Sequence, residues 1–168
     1  SELIYLYNVK DKKGLSLYDQ YLNDFIHIDN EQENLNAIDF ITSHSTEKNI
    51  IYFNKPKDIE SFTRLLIKHL PDISMSGLLA KAVNSISEAV HSNYYLVEAL
   101  KKGVVYHHGS MPESIRSFIE TLYSKEQDIR YIITSSTLLE GVNMPATSLF
   151  MMDCRKGRSY LSASSLKN

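Results

Sequence analysis

Apolar residues gather in four short runs, Ile50 to Phe53, Gly103 to His107, Arg130 to Thr134 and Thr147 to Met152, each bounded by polar residues. Runs this short predict buried strands of a parallel sheet. Between them the apolar spacing changes to threes and fours. Ile59, Phe62, Leu66 and Leu70 mark one helix, and Ile115, Phe118, Ile119, Leu122 and Tyr123 mark another. Strand and helix alternating in this way predict a doubly wound, mostly parallel α/β sheet with helices on both faces. From Leu70 to Lys102 the chain is longer than one crossover helix needs. Leu79, Ala82, Val83, Ile86 and Val90 predict one helix there. After a break at His91-Ser92-Asn93, a second helix carries Leu96, Val97 and Leu100, with Asn93 as its cap. In the first 48 residues the pattern is thinner: a strand over Leu3 to Val9, a turn over Lys10 to Gly14, and a helix over Glu31 to Ser43 bearing Leu35, Ile38 and Ile41.

Size and charge narrow the classes. The chain has 168 residues, 43 % of them hydrophobic, enough for one core and a single globular unit. Its 18 Lys and Arg against 20 Asp and Glu leave a net charge of −2, so no global basic field draws a polyanion and any nucleic-acid contact must be local. The lone Cys154, in an apolar stretch, has no partner for an internal disulfide and reads as a buried thiol of a cytoplasmic protein. No apolar run approaches the roughly 20 residues that span a bilayer, so no membrane partner is expected. The start, Ser1-Glu2 directly before an apolar run, and the end, a helix turn over Ser162 to Asn168, both suggest an excised piece.

Three segments carry chemistry. The first is Asn49-Ile50-Ile51-Tyr52-Phe53-Asn54-Lys55, a strand delivering polar residues at its carboxyl end, where open α/β sheets bind ligands. The second is Val104-Val105-Tyr106-His107-His108-Gly109-Ser110-Met111-Pro112-Glu113-Ser114-Ile115-Arg116. Gly109 permits close backbone approach, the helix start favours an anion, and Arg116 supplies a fixed charge. Ser110 to Glu113 also reads as a capping box, which would leave Glu113 a purely structural role. His107 and His108 could suggest zinc, but adjacent strand residues face opposite ways and no further ligand set accompanies them. The third segment, Tyr131 to Ala146, contains Thr134-Ser135-Ser136-Thr137 at a strand end, then Gly141-Val142-Asn143-Met144-Pro145. Small hydroxyl residues at a helix start suit phosphate oxygens. A purely capping role for those serines is the alternative. Arg155-Lys156-Gly157-Arg158 forms a basic turn, either solvated or in contact with nucleic acid.

Taken in order, these segments resemble the C-terminal RecA-like domain of superfamily 2 helicases of the DEAD/DEAH kind, most closely the Ski-like branch. The resemblance covers residues 49–168, with 1–48 a lead-in strand and helix that belongs to the same domain or links it to a first motor domain. It implies that Gly109, Arg116, Ser135, Ser136 and Thr137 touch backbone phosphates, while Gly141 and Asn143 face ATP near its ribose. It also implies ATP with Mg²⁺, the metal being held by the first RecA-like domain of the same protein, and single-stranded or partly duplex DNA or RNA as the partner. No phosphate loop and no Asp-Glu box occurs in the sequence, and the family's arginine-finger motif is not reached. This chain alone is therefore expected to be inactive within an ATP-dependent helicase. Two rivals share the sheet: a non-enzymatic α/β scaffold or regulatory module, and a nucleotide-sugar transferase domain. Strand ends bearing His, Gly, Ser and Thr rather than clustered Asp disfavour the phospho-receiver version of the first.

Overall fold

The computed structural model describes residues 3–7, 15–19, 24–28, 37–89, 94–135, 144–152, 155–156 and 159–160. Its centre is a four-stranded, all-parallel sheet of β4 (Asn49–Tyr52), β5 (Val104–His107), β6 (Tyr131–Thr134) and β7 (Ser148–Met151), in the spatial order β5-β6-β4-β7. All four predicted strands are present, and every residue in them is buried. Burial on both faces explains why they read as continuous apolar runs.

Around the sheet lie α1 (Ala37–His44), α2 (Pro56–Ile67), α3 (Gly77–Ala89), α4 (Tyr94–Lys101) and α5 (Glu113–Lys125). The path from β4 to β5 passes over β6, and the path from β5 to β6 turns back, so right-handed crossovers put α2 and α5 on opposite faces. The side chains agree. His107 and His108 are adjacent, and they reach Glu120 on α5 and Glu60 on α2 respectively. The arrangement is thus the RecA-like α/β fold expected from the pattern. Ile59, Phe62 and Leu66 of α2 and Leu96, Ala99 and Leu100 of α4 bury one helical layer, with Phe62 set 5.1 Å from the Phe53 ring. Ile119, Leu122 and Tyr123 bury the inner side of α5, whereas Phe118, assigned to that stripe by its spacing, is 39 % exposed. Position 118 lies one residue too far round the helix to face the sheet.

The lead-in differs most from expectation. Three strands, β1 (Leu3–Tyr7), β2 (Leu15–Asp19) and β3 (Asp24–Ile28), form an antiparallel meander, and β1 lies alongside β7. Only the first of these was predicted. The helix predicted from Glu31 is described from Ala37 to His44, and positions 31–36 lie outside the described residues. Within the basic segment, β8 (Arg155–Lys156) pairs antiparallel with β9 (Ser159–Tyr160), and positions 157–158 lie outside the described residues. Cys154, Asn93 and the helix turn at 162–168 lie outside the described residues. Among the described residues no helix is long and apolar enough to cross a membrane.

Two features close the amino edge of the sheet. Gly103, between α4 and β5, has φ 71°, and a Cβ there would stand 2.4 Å from the Asp128 carbonyl oxygen, so only glycine fits. The Gly103 carbonyl in turn accepts the amides of Arg130 and Tyr131, tying the starts of β5 and β6 together. Immediately before β4, the Lys48 ammonium donates to the carbonyls of Tyr123, Glu126 and Ile129 at 2.6, 2.7 and 2.6 Å and sits 4.6 Å from the Tyr123 ring. It caps the last turn of α5, where carbonyls lack helical partners. Burial pushes this ammonium below its ordinary pKa, and Glu126 and Asp128 pull it back up. Replacing Lys48 by Met keeps the stem and removes the donors. The expected cost is about 2–3 kcal/mol in urea unfolding, because three carbonyls lose a charged partner; a loss under about 0.5 kcal/mol would show that water replaces the ammonium freely.

Candidate nucleic-acid interface

Parallel register places Tyr52, His107, Thr134 and Met151 in one row at the carboxyl end of the sheet. Beyond this row come Phe53 and Asn54, then His108 to Ser110, and Ser135. These are the ends of the three segments singled out by sequence. Phe53 N–H donates to the Thr134 carbonyl at 2.9 Å, which holds the ends of β4 and β6 together past the last ladder pair.

The chain leaves β5 through a turn closed by the Met111 amide on the His108 carbonyl at 3.0 Å, with Met111 buried beneath it. Gly109 and Ser110 are exposed at its tip. Helix α5 then starts with Pro112 as its N-cap, and no side chain caps it. The capping box expected between Ser110 and Glu113 is therefore not formed. Pro112 sets the entry with its restricted φ of −54°, and its carbonyl accepts the amides of Ile115 and Arg116. Glu113 is left exposed in the first turn, where its charge suits the helix dipole. Helix α2 likewise has Lys55 as N-cap with Pro56 following, and no side-chain cap from Asn54, whose side chain instead accepts the Tyr52 hydroxyl.

Beneath the turn lies a buried polar cluster. The His107 side chain is 1 % exposed, with Nδ1 3.4 Å from the Thr134 hydroxyl and Nε2 3.2 Å from a Glu120 carboxylate oxygen but too far off line for a hydrogen bond. On the other face His108 Nε2 lies 3.1 Å from Glu60 Oε1. Among the described residues, three buried side-chain nitrogens lack a hydrogen-bond partner: His107 Nε2, His108 Nδ1 and Arg116 Nε. Buried polar atoms are normally partnered, because each orphan costs about 1–3 kcal/mol. All three fall within one ten-residue stretch, 107–116, at the carboxyl edge.

Electrostatics sharpen the picture. Burial, then the positive charge of Arg116, then His108 depress His107 to a pKa of about 4, so its ring is neutral at physiological pH. Burial raises Glu120 above the usual carboxylate range while Arg116 pulls it down. On the α2 side, burial and then Glu60 push the Tyr106 hydroxyl up to about 12.

The sequence candidates are thus distributed as follows. Gly109 is at the exposed turn and Arg116 is half-buried one turn into α5, its charge acting on His107. Ser135 is 8 % exposed and directly follows Thr134, on the far side of His107. Ser136, Thr137, Gly141 and Asn143 lie outside the described residues. Sequence reasoning missed Glu120, Glu60 and Thr134. Glu120 carried a signal, being four residues after Arg116 and so on the same helix face; Glu60 carried none, since its partner is 48 residues away. Among the described residues no group of three His, Cys, Asp or Glu side chains is placed to hold a metal.

The chain also has partial similarity to known proteins. No family model matches the chain. It is 34 % identical over 76 residues to the ATP-dependent DNA helicase Hel308 of Thermoplasma acidophilum, which covers 43 % of this chain and 11 % of that protein. It is 28 % identical over 117 residues to the probable ATP-dependent DNA helicase HFM1 of Mus musculus, covering 67 % of this chain and 8 % of that protein. Anti-bacteriophage protein B of Escherichia coli is 27 % identical over 75 residues, 45 % of this chain and 10 % of its own length. The chain matches about a tenth of the length of these relatives. It is related, at low identity and over part of its length, to ATP-dependent helicases.

The buried neutral histidine makes stability depend on pH. His107 takes up a proton near pH 6.5 when unfolded and only near 4 when folded, so native stability is full above about 6.5 and falls as pH drops toward 4. The loss attributable to His107 approaches about 3 kcal/mol at roughly 1.4 kcal/mol per unit of depression. Urea unfolding of the protein and of His107→Gln at several pH values should show a stability difference that shrinks on acidification. A difference constant from pH 7 to 4 would mean that His107 titrates normally.

Proposed function

We propose that this chain is the second motor domain of an ATP-dependent nucleic-acid helicase of superfamily 2, in its Ski-like branch. Its part is to grip the backbone of a nucleic-acid strand and to complete the ATP site of a first RecA-like domain. The observation that carries this reading is the set of partnerless buried nitrogens at the carboxyl edge, beside Gly109, Arg116 and Ser135. An edge left polar and half-open, with the Arg116 charge beside its unpartnered nitrogens, suits an anionic ligand. The partial similarity to ATP-dependent helicases supports it from an independent direction.

In this reading Gly109, Arg116, Ser135, Ser136 and Thr137 hold phosphates, and Gly141 and Asn143 face the nucleotide. ATP binds between the two domains, with Mg²⁺ held by the first. The segment 135–143 then touches both ligands and couples them, because movement at its nucleotide end shifts its hydroxyl end. Phosphate contacts carry no base information, so binding is independent of sequence and weakened by salt. The helicase relatives are named as DNA helicases, which makes DNA the strand to test first. The protein would work in the cytoplasm without a membrane partner.

In the intact protein, Arg116→Ala should lower single-strand affinity at low salt by about tenfold or more, reduce the salt slope by about 0.7, and leave ATP affinity similar. Equal strand affinity would remove Arg116 from the interface. The 168 residues alone should show no nucleic-acid-stimulated ATP hydrolysis, and stimulated turnover by them would overturn the division of labour between two domains.

A further inference from the structure

Helix α2 starts at the carboxyl end of β4, beside the candidate interface, and runs back across the face of the sheet. Its buried side is Ile59, Phe62, Thr63 and Leu66. On its exposed side, Lys57, Ser61, Arg64 and Lys68 follow one another at four-, three- and four-residue spacing and so form one stripe, with Leu65 exposed beside it. Glu60, three residues after Lys57 and four before Arg64, borders the stripe with its side chain 46 % exposed and is engaged by His108, and Asp58 is half-buried on the other flank. The nearby lysines of the α4 end differ: Lys101 is paired with Glu98 and Lys102 with Asp72. Among the described residues, Lys57, Arg64 and Lys68 have no carboxylate partner.

An aromatic platform adjoins these cations. The Arg64 guanidinium carbon lies 3.9 Å from the centre of the Tyr95 ring, and Tyr95 on α4 remains 40 % exposed. Contact with the ring restricts the guanidinium, which lowers the ordering cost of a phosphate contact. From Lys57 to Lys68 the helix rises about 16 Å, at about 1.5 Å per residue, the length of several nucleotides of backbone.

We propose that the exposed stripe Lys57, Arg64 and Lys68, together with Tyr95, is a second nucleic-acid contact that carries a strand away from the sheet edge along α2. This rests on the reading of the sheet edge as a nucleic-acid interface. A chain with net charge −2 attracts polyanions only where cations are concentrated and unpaired, and this stripe is such a place, continuous with the sheet edge. Evenly spaced positive charge beside an exposed ring matches the way single strands are held, with phosphates on the cations and a base on the ring. An acidic polypeptide would use the charges but not the stacking surface.

The test uses the intact protein and a labelled oligothymidylate. The triple variant Lys57→Gln, Arg64→Gln, Lys68→Gln should lower the salt slope of binding by about 2, at about 0.7 per lost phosphate contact, and weaken binding at low salt by about tenfold or more. Tyr95→Ala should weaken binding by about fivefold or more without reducing the slope by more than one contact, and Tyr95→Phe should restore it. All these positions are exposed, so thermal unfolding should be unchanged and reports any misfolding directly. If Arg116→Ala weakens binding while the triple variant binds as the parent does, the stripe is not a contact and the sheet-edge reading stands. If neither variant changes binding, both fall. Binding of polyglutamate to the parent but not to the triple variant, with oligothymidylate affinity the same in both, would assign the stripe to an acidic protein and overturn the proposal.

Discussion

The structure depends on one constraint: four strands buried on both faces cannot carry unsatisfied polar side chains along their length. Polar chemistry is driven to the strand ends, and the two ends are treated differently. At the amino edge everything is closed. Asn49 Nδ2 donates to the carbonyls of Thr46 and Arg130, its Oδ1 accepts the Thr46 amide, and Thr46 Oγ1 meets Ser148 Oγ at 2.8 Å. Arg130 reaches the Thr46 carbonyl at 2.7 Å, and Lys48 saturates three more carbonyls. At the carboxyl edge buried nitrogens lack partners. One edge is built for stability. The other carries the stored cost of unmet hydrogen bonds, as ligand sites do.

His107 is where the two polar elements of that edge meet. Its ring lies between Thr134, which leads into Ser135, and Glu120, one turn beyond Arg116 on α5. A strand end and a helix face are therefore linked through a single buried side chain. Both are held by rigid elements, β6 by its ladder with β4 and β5, and α5 by Lys48 at its far end. In the proposed function this matters because phosphates spaced along a strand must find Arg116 and Ser135 in fixed relation. Loop-borne groups would not hold that spacing.

Much of the fold was legible because the buried strands give an unambiguous signal. The runs at Ile50, Gly103, Arg130 and Thr147 stand out from their flanks, and the change from continuous to three-and-four spacing locates α2 and α5. Phe118 misled because its spacing fits the stripe while its direction does not. The meander at residues 3–28 was only partly seen, since β2 and β3 read LSLYD and DFIHI, with polar residues at positions that a buried run would make apolar. At the candidate site, motif residues announced themselves, but their partners did not. Thr134 meets His107 across 27 residues and Glu60 meets His108 across 48, and spacing cannot reveal contacts that only the sheet order creates. The capping box failed for a local reason: with Pro112 at the N-cap, the position needed for a capping hydroxyl was already occupied.

His107 is the residue most easily mistaken for a source of the edge's charge. His107 is kept neutral, first by burial and then by repulsion from Arg116. A phosphate seated against Arg116 would cancel part of that repulsion, yet burial, the larger cause, would remain. The ring would stay uncharged at neutral pH even with a strand bound. Positive charge at this edge therefore comes from groups such as Arg116 and not from His107, beside the amides and hydroxyls of Gly109 and Ser135. His107 acts through shape and hydrogen bonding. In the proposed function a permanent cation, Arg116, thus contributes to the salt dependence of binding, while the neutral His107 ring beside Thr134 and Glu120 adds no charge.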